Sequence, residues 1–128
     1  MEVRPGVIYV ASGGTHLKFH ARGNRVMLRH SQEPEHLFMP SVDVMLNALC
    51  ETFGQQSIGV LMTGMGWDGA EGMVAIHRAG GRTIAESQET AIVFGMPQEA
   101  IKRGGAQKVL PHREIAREIV RMVQDSKD

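Results

Sequence analysis

Cysteine, surplus charge and long apolar runs are all scarce in this sequence. The single cysteine, Cys50, has no partner for an internal disulfide, which suits a reducing compartment. Fourteen basic side chains balance fourteen acidic ones, whereas a nucleic-acid binder normally shows a basic excess or stripe. No apolar run approaches the roughly 20 residues that cross a bilayer. We therefore expect no nucleic-acid partner, no membrane insertion and a cytoplasmic location.

The apolar residues recur at two different spacings, which predict strands and helices in alternation. Short apolar or β-branched runs beside glycine-rich turns predict strands at residues 7–11, 16–19, 25–29, 58–63, 83–85 and 108–110. Apolar stripes at i, i+3 and i+4 predict helices at residues 42–53, 69–79, 97–103 and 112–124, the first with Ser41 as its N-cap. The last helix is expected to bury Ile115, Ala116, Ile119, Val120, Met122 and Val123.

The order of these elements predicts the fold class. A chain of 128 residues can bury one core of useful size. Strands that alternate with helices form a parallel sheet with helices on both faces, and the strands at 16–19 and 25–29 form a hairpin around a glycine turn. We therefore expect an α/β fold, a Rossmann-like three-layer sandwich with a mainly parallel sheet plus a β-hairpin.

An acidic residue, Asp68, lies in a glycine-rich turn between a predicted strand and a predicted helix. Ligands of parallel sheets gather beyond the carboxyl ends of the strands, so this position favours a functional role. A purely structural interpretation competes with it, because Asp68 followed by Glu71 fits a D-x-x-E capping box. The pattern alone leaves both interpretations open.

A phosphate-binding loop is a third interpretation of the same turn. Gly64, Gly66 and Gly69 have the spacing G-x-G-x-x-G, and Glu86 or Glu89 lies about 20 residues further on, where a ribose-binding acid is expected. The turn lacks the Lys-Ser/Thr pair of a P-loop, and its aspartate would oppose the charge of a pyrophosphate. The phosphate interpretation is therefore the weakest of the three.

Three motifs together carry a family resemblance. Residues 63–69 read T-G-M-G-W-D-G, residues 94–97 read F-G-M-P and residues 40–43 read P-S-V-D. The set resembles the chemotaxis protein-glutamate methylesterases, the CheB catalytic domain, and the resemblance extends over residues 3–123. It implies a serine hydrolase that removes methyl esters from glutamates of chemoreceptors, and deamidates certain glutamines there, without a metal or a cofactor.

The resemblance also implies roles for the residues of the turn. Asp68 would be the catalytic aspartate, which orients a histidine while a serine attacks the ester carbonyl. Gly64, Met65, Gly66 and Trp67 would line the site, with the two glycines allowing close approach of the backbone.

The family's nucleophile turn, G-A-S-T-G-G, and its histidine segment, H-M-P, are not in this sequence. We therefore expect residues 1–128 to be a partial catalytic domain that lacks the N-terminal strands, supplies only the aspartate and is inactive alone. Ser12 is a candidate substitute nucleophile, because it follows a predicted strand and precedes two glycines. The family usually has a proline at this position, in an A-P-G-G/D-x-H segment, which favours a structural role for Ser12. The alternative function is a non-catalytic remnant that binds or dimerises, and unpaired strand edges predict a homodimer or larger assembly.

Overall fold

The structure, a computed structural model, describes residues 1–125 and contains strands and helices in alternation. The elements are β1 (His16–Arg22), β2 (Arg25–Ser31), α1 (Val42–Phe53), β3 (Ile58–Leu61), α2 (Ala70–Arg78), β4 (Arg82–Glu86), α3 (Gly95–Lys102), β5 (Lys108–Leu110) and α4 (His112–Asp125). A single 3-10 turn, Gly54–Gln56, follows α1. Local sequence signals had predicted all of these strands and helices, with ends that differ by a few residues.

The strands form two separate sheets. β1 pairs antiparallel with β2 across a turn in which Gly23 has a φ of 65°. β3, β4 and β5 form a parallel sheet in that order. Helices lie on both faces of the parallel sheet, so the predicted α/β fold with a parallel sheet and an added hairpin is confirmed.

Each face of the parallel sheet has its own apolar core. The first core joins β3 to α1, α2 and α3, through Leu46, Leu61, Met73, Ile76 and Ala100. The second core joins β4 to α4, through Ile84, Ile115 and Met122. Because successive side chains of a strand point to opposite faces, neighbouring residues of β3 serve different cores: Leu61 packs in the first and Val60 against the second.

Helices α1 and α2 approach each other closely at a glycine. Gly72 is buried in α2, and a Cβ atom at this position would lie 2.5 Å from the Cβ of Leu46 in α1. Only a residue without a side chain fits such a crossing without a shift of the helices. The crossing brings the first turn of α1 beside the first turn of α2.

The predicted buried strand at residues 7–11 is wrong. The structure has no strand there, and Val7, Ile8 and Val10 are 51%, 91% and 81% exposed. The N-terminal segment pairs only through an isolated bridge between Glu2 and Met27. A β-branched run becomes a buried strand only where a sheet accepts it, and no strand of residues 1–125 lies alongside this run.

Two further expectations need correction. In α4, Ala116, Val120 and Val123 are exposed, because the helix meets a sheet of only three strands along the narrow stripe of Ile115, Ile119 and Met122. Helix α3 begins at Gly95, two residues before Pro97, where the predicted helix begins.

Within residues 1–125, none of the helices combines the length and the hydropathy that crossing a bilayer requires.

Candidate functional site

The Asp68 carboxylate lies between β3 and α2, and it is directed at the N-terminus of α1. The residue is 6% exposed. Its Oδ2 accepts a hydrogen bond from the Val42 N–H at 2.7 Å, and its Oδ1 accepts one from the Asp43 N–H at 2.9 Å. The Ser41 hydroxyl donates a third bond to Oδ1 at 2.9 Å. The free N–H groups of a helix N-terminus favour an anion, and these contacts hold the carboxylate in one orientation.

This arrangement differs from the capping box that Asp68 and Glu71 suggested. The N-cap position of α2 is Gly69, with a φ of 101°, and this residue has no side chain that could cap the helix. The aspartate instead serves a helix that begins 26 residues earlier in the chain. Sequence spacing could not show this, because the contact depends on how α1 packs on α2.

Ser41 connects the aspartate to the hairpin. It is the N-cap of α1, as predicted, since its hydroxyl accepts a bond from the Val44 N–H at 3.2 Å. Its backbone N–H donates to Nδ1 of His16 at 3.1 Å. His16 is fully buried, and its Nε2 lies 2.9 Å from the Pro34 carbonyl oxygen. Because Nδ1 accepts, the ring proton is on Nε2 and donates to that carbonyl.

Asp43 adds a link between α1 and α2. It is 8% exposed, and its Oδ1 accepts a hydrogen bond from the Gly72 N–H at 2.8 Å. Burial raises the pKa of the Asp43 carboxyl; the Gly72 bond opposes that shift, and the nearby charge of Asp68 adds to it. Asp43 therefore holds the two helices together at the point where the Asp68 carboxylate sits. Its place in the P-S-V-D motif does not indicate this contact, although its buried carboxylate belongs to the site.

His36, Asp43 and Asp68 have possible ligand atoms within 4.8 Å of one another, but both ring nitrogens of the histidine are already engaged. Nδ1 of His36 accepts a bond from the Phe38 N–H at 3.0 Å. Its Nε2 therefore carries the proton and faces the Ser41 hydroxyl oxygen at 3.4 Å. A cation bound by this histidine would need the nitrogen lone pair that accepts the Phe38 N–H. The cluster fits a hydrogen-bond network better than a metal site.

The same cluster also brings a serine, a histidine and an aspartate together, but in the wrong order for a catalytic triad. In a triad the histidine lies between the other two residues. Here Ser41 donates directly to Asp68, and it is 2% exposed. Ser41 is therefore a support for the aspartate. Ser12, which is exposed, has no base in His16 either, because both ring nitrogens of His16 are engaged.

The turn at residues 63–68, called the site turn below, presents an apolar surface next to the aspartate. Met65 is 81% exposed and Trp67 is 52% exposed. The Trp67 ring meets Phe38 edge to face, with centroids 6.2 Å apart. Gly66 has a φ of 94°, and a Cβ on Gly64 would collide with the sulfur of Met96. The backbone conformation thus favours glycine at position 66, and the Met96 side chain leaves no room for a side chain at position 64 unless it shifts.

The acid that the phosphate interpretation requires is not available. Glu86 is 3% exposed, and its two carboxylate oxygens accept bonds from the Thr63 N–H and the Thr90 hydroxyl. Glu89 is at the surface in an ion pair with Arg113. Both carboxylates are already engaged and neither is free to bind a ribose. The structure therefore gives no support to the G-x-G-x-x-G spacing as a phosphate-binding loop.

Comparisons with known proteins agree with the motifs. A family model described as CheB methylesterase matches residues 1–119. A protein-glutamate methylesterase/protein-glutamine glutaminase 3 of Syntrophomonas wolfei is 58% identical over 125 residues, which are 96% of this chain and 35% of that protein. A relative from Archaeoglobus fulgidus, a protein-glutamate methylesterase/protein-glutamine glutaminase, is 46% identical over 123 residues, with 95% and 35% covered. The chain thus spans about a third of the length of the curated relatives.

A solved structure matches as well. The crystal structure of the Thermotoga maritima CheB methylesterase catalytic domain superposes with a TM-score of 0.91 at 36% sequence identity. The match covers 95% of this chain and 65% of that domain. With sequence, family model and fold in agreement, this chain belongs to the CheB methylesterase family.

Proposed function

We propose that residues 1–128 are the aspartate-bearing part of a protein-glutamate methylesterase/protein-glutamine glutaminase. The substrates are methylated chemoreceptors, and the enzyme acts in the cytoplasm in bacterial chemotaxis. The nucleophilic serine and the catalytic histidine come from residues outside this sequence. The observation that carries the proposal is the buried carboxylate of Asp68, held by three donors at 2.7–2.9 Å beside an exposed turn.

The geometry supports a specific role for one oxygen of Asp68. An ionised carboxylate offers about four lone-pair positions. Oδ1 accepts two of the three hydrogen bonds and Oδ2 accepts one. Oδ2 therefore keeps capacity for a further donor, and we assign to it the N–H of the catalytic imidazole. That bond fixes the tautomer of the histidine and stabilises the imidazolium that forms during reaction.

The reaction is acyl transfer in two steps. The serine attacks the ester carbonyl while the histidine takes its proton and passes it to the leaving methanol. Water then hydrolyses the glutamyl-enzyme ester, with the histidine again as base. For a glutamine the leaving group is ammonia, and the steps are otherwise the same. The site turn, with Gly64, Met65, Gly66 and Trp67, forms the wall beside which the substrate side chain lies.

A chimera tests this role directly. Residues 1–125 would replace the matched segment of the Syntrophomonas wolfei relative, and methanol release from methylated receptor would be measured. We expect activity in the chimera and a loss of about 10⁴-fold in kcat for Asp68→Asn. Glu71→Gln is the matched control, because this carboxylate lies three residues after Asp68, in the first turn of α2, and is exposed. Near-normal turnover of the Asp68→Asn chimera would remove Asp68 from the mechanism.

The 128-residue chain alone provides a second test. Without a nucleophile and a base, we expect no methanol release above background. Release that disappears with Ser12→Ala would identify Ser12 as a nucleophile and contradict the proposal.

A non-catalytic binding or dimerising module is the second candidate, and two observations favour it. Val7, Ile8 and Val10 expose an apolar run, and β3 lies at the end of its sheet with β4 as its neighbour. A free strand edge and an exposed apolar run are both suited to pairing with another chain. A chimera that folds but has no activity, together with a tight dimer of the isolated chain, would favour this candidate.

A further inference from the structure

A second buried carboxylate lies near the site turn and has no part in the mechanism proposed above. Glu86 is the last residue of β4 and is 3% exposed. Within residues 1–125, none of the ion pairs includes it. A buried charge without a cation is costly unless hydrogen bonds satisfy it. The position of those bonds therefore shows what the carboxylate does.

Glu86 continues the connection between two strands beyond the end of their backbone pairing. The parallel ladder of β3 and β4 ends at the pair Leu61 and Ala85. Two residues further along, the Thr63 N–H donates to Oε1 of Glu86 at 2.8 Å. A side-chain oxygen thus takes the place of the next backbone carbonyl. The first residue of the site turn is attached to the sheet through this contact.

Thr63 is also hydrogen-bonded to the loop before α3. Its hydroxyl accepts a bond from the Val93 N–H at 2.8 Å and donates to the Val93 carbonyl at 3.2 Å. The Gly64 N–H donates to the same carbonyl at 2.9 Å, and the Gly64 carbonyl accepts from the Met96 N–H at 2.8 Å. The start of the site turn is therefore fixed on two sides, while Met65 and Trp67 project from it.

The other oxygen of Glu86 reaches α4. Oε2 accepts a bond from the Thr90 hydroxyl at 2.7 Å, and that hydroxyl oxygen accepts one from the His112 N–H at 2.9 Å. Since the single hydroxyl proton of Thr90 points to Glu86, both carboxylate oxygens act as acceptors. This is the pattern of an ionised carboxylate.

We propose that Glu86 is a positioning residue for the active site, through its carboxylate bond to Thr63. It fixes the site turn relative to the parallel sheet and thereby determines where Met65 and Trp67 stand beside Asp68. The expected effect of Glu86 on activity rests on the proposed function. The expected effects on Thr63 amide exchange and on Trp67 quenching do not.

The structural test uses the 128-residue chain and three variants of Glu86. Glu86→Ala removes both hydrogen bonds, and the Thr63 amide proton should exchange with solvent at least about tenfold faster. Glu86→Asp keeps the charge but is one methylene too short, so it should act in the same direction and decides the question if the alanine variant fails to fold. Glu86→Gln keeps an oxygen for the Thr63 N–H, so it should retain slow exchange. Trp67, the only tryptophan, reports the same change through easier acrylamide quenching of its fluorescence.

Glu89→Ala is the matched control. Glu89 lies on the same loop and joins it to the same helix through Arg113, but it does not touch the site turn. Its removal should leave the Thr63 exchange rate and Trp67 quenching at wild-type values. Equal effects of Glu86→Ala and Glu89→Ala, or no effect of either, would overturn the proposal.

The activity test uses the chimera. If the site turn is displaced, kcat of Glu86→Ala and Glu86→Asp should fall by on the order of 10- to 100-fold while KM stays unchanged. Glu86→Gln should restore most of the loss, which a requirement for charge would not allow. A glutamine variant as slow as the alanine variant would contradict a positioning role. A chimera with no activity even before substitution would count against the proposed function, and the exchange rates would still decide the role of Glu86.

Discussion

The replacement of Asp68 by asparagine should destabilise the fold as well as reduce activity. Asparagine has the shape of aspartate, but one oxygen becomes an NH₂ group. The amide oxygen can take the place of Oδ1 and keep its two donors, Ser41 and Asp43. The NH₂ group then faces the Val42 N–H across the position of a 2.7 Å hydrogen bond. Two donors meet there, and the N–H loses its acceptor.

The size of the effect follows from these contacts. An unsatisfied buried donor costs about 1–3 kcal/mol. Loss of a negative charge at a partly buried helix N-terminus adds roughly 0.3–2 kcal/mol. We therefore expect Asp68→Asn to lower the free energy of unfolding by about 1–5 kcal/mol, compared with the roughly 5–15 kcal/mol that is typical of a domain.

Urea unfolding of the 128-residue chain, followed by circular dichroism and by Trp67 fluorescence, measures this quantity. Glu71→Gln should stay within about 0.5 kcal/mol of the wild type, as surface substitutions usually do. A double-mutant cycle with Ser41→Ala should give a coupling of about 0.5–3 kcal/mol, because the two side chains share a bond. If Asp68→Asn were as stable as the control, the carboxylate would not be held at α1, and our account of the site would be refuted.

Three further predictions concern other parts of the fold. Gly72→Ala should cost about 1–3 kcal/mol through its contact with Leu46, despite the better helix propensity of alanine, whereas Gly13→Ala, which meets nothing within 4 Å, should be neutral in the same urea titration. Hydrogen bonds from Arg121 and Lys108 lower the pKa of Glu118 to about 2. The ionised Glu118 side chain therefore stabilises the fold above its ordinary pKa, and this stability is lost as the pH falls from about 5 to 2. The difference in urea midpoint between the wild type and Glu118→Gln should disappear over that range. The isolated chain should be a dimer or larger at micromolar concentration by light scattering, and a monomer with cooperative unfolding would contradict this.

The parts of the fold that depend on neighbouring residues could be predicted from the sequence. Ser41 was predicted as an N-cap because the cap bond joins residues only three apart. The hairpin was predicted because a glycine turn determines which strands pair. The alternation of strands and helices then left few possible architectures.

The parts that depend on packing could not be predicted in this way. Residues 7–11 have the composition of a buried strand, but composition does not say whether a sheet lies next to them. The donors of the Asp68 carboxylate lie 25–27 residues away, and no local pattern connects them to it. His16 was assigned only to a strand, although its ring accepts the N–H of Ser41. The motifs single out Asp68, but they do not show what holds it.

The attachment of Asp68 to α1 has a consequence for protein engineering. The recognisable motif, residues 63–73, is short and continuous and looks like a portable strand-turn-helix cassette. Grafted onto another α/β scaffold, it would bring the aspartate but neither the helix N-terminus nor the serine that orient it. The smallest transferable unit runs from the start of the hairpin at His16 to the end of α2 at Arg78. A shorter graft would preserve the signature of the family without the contacts that orient the carboxylate.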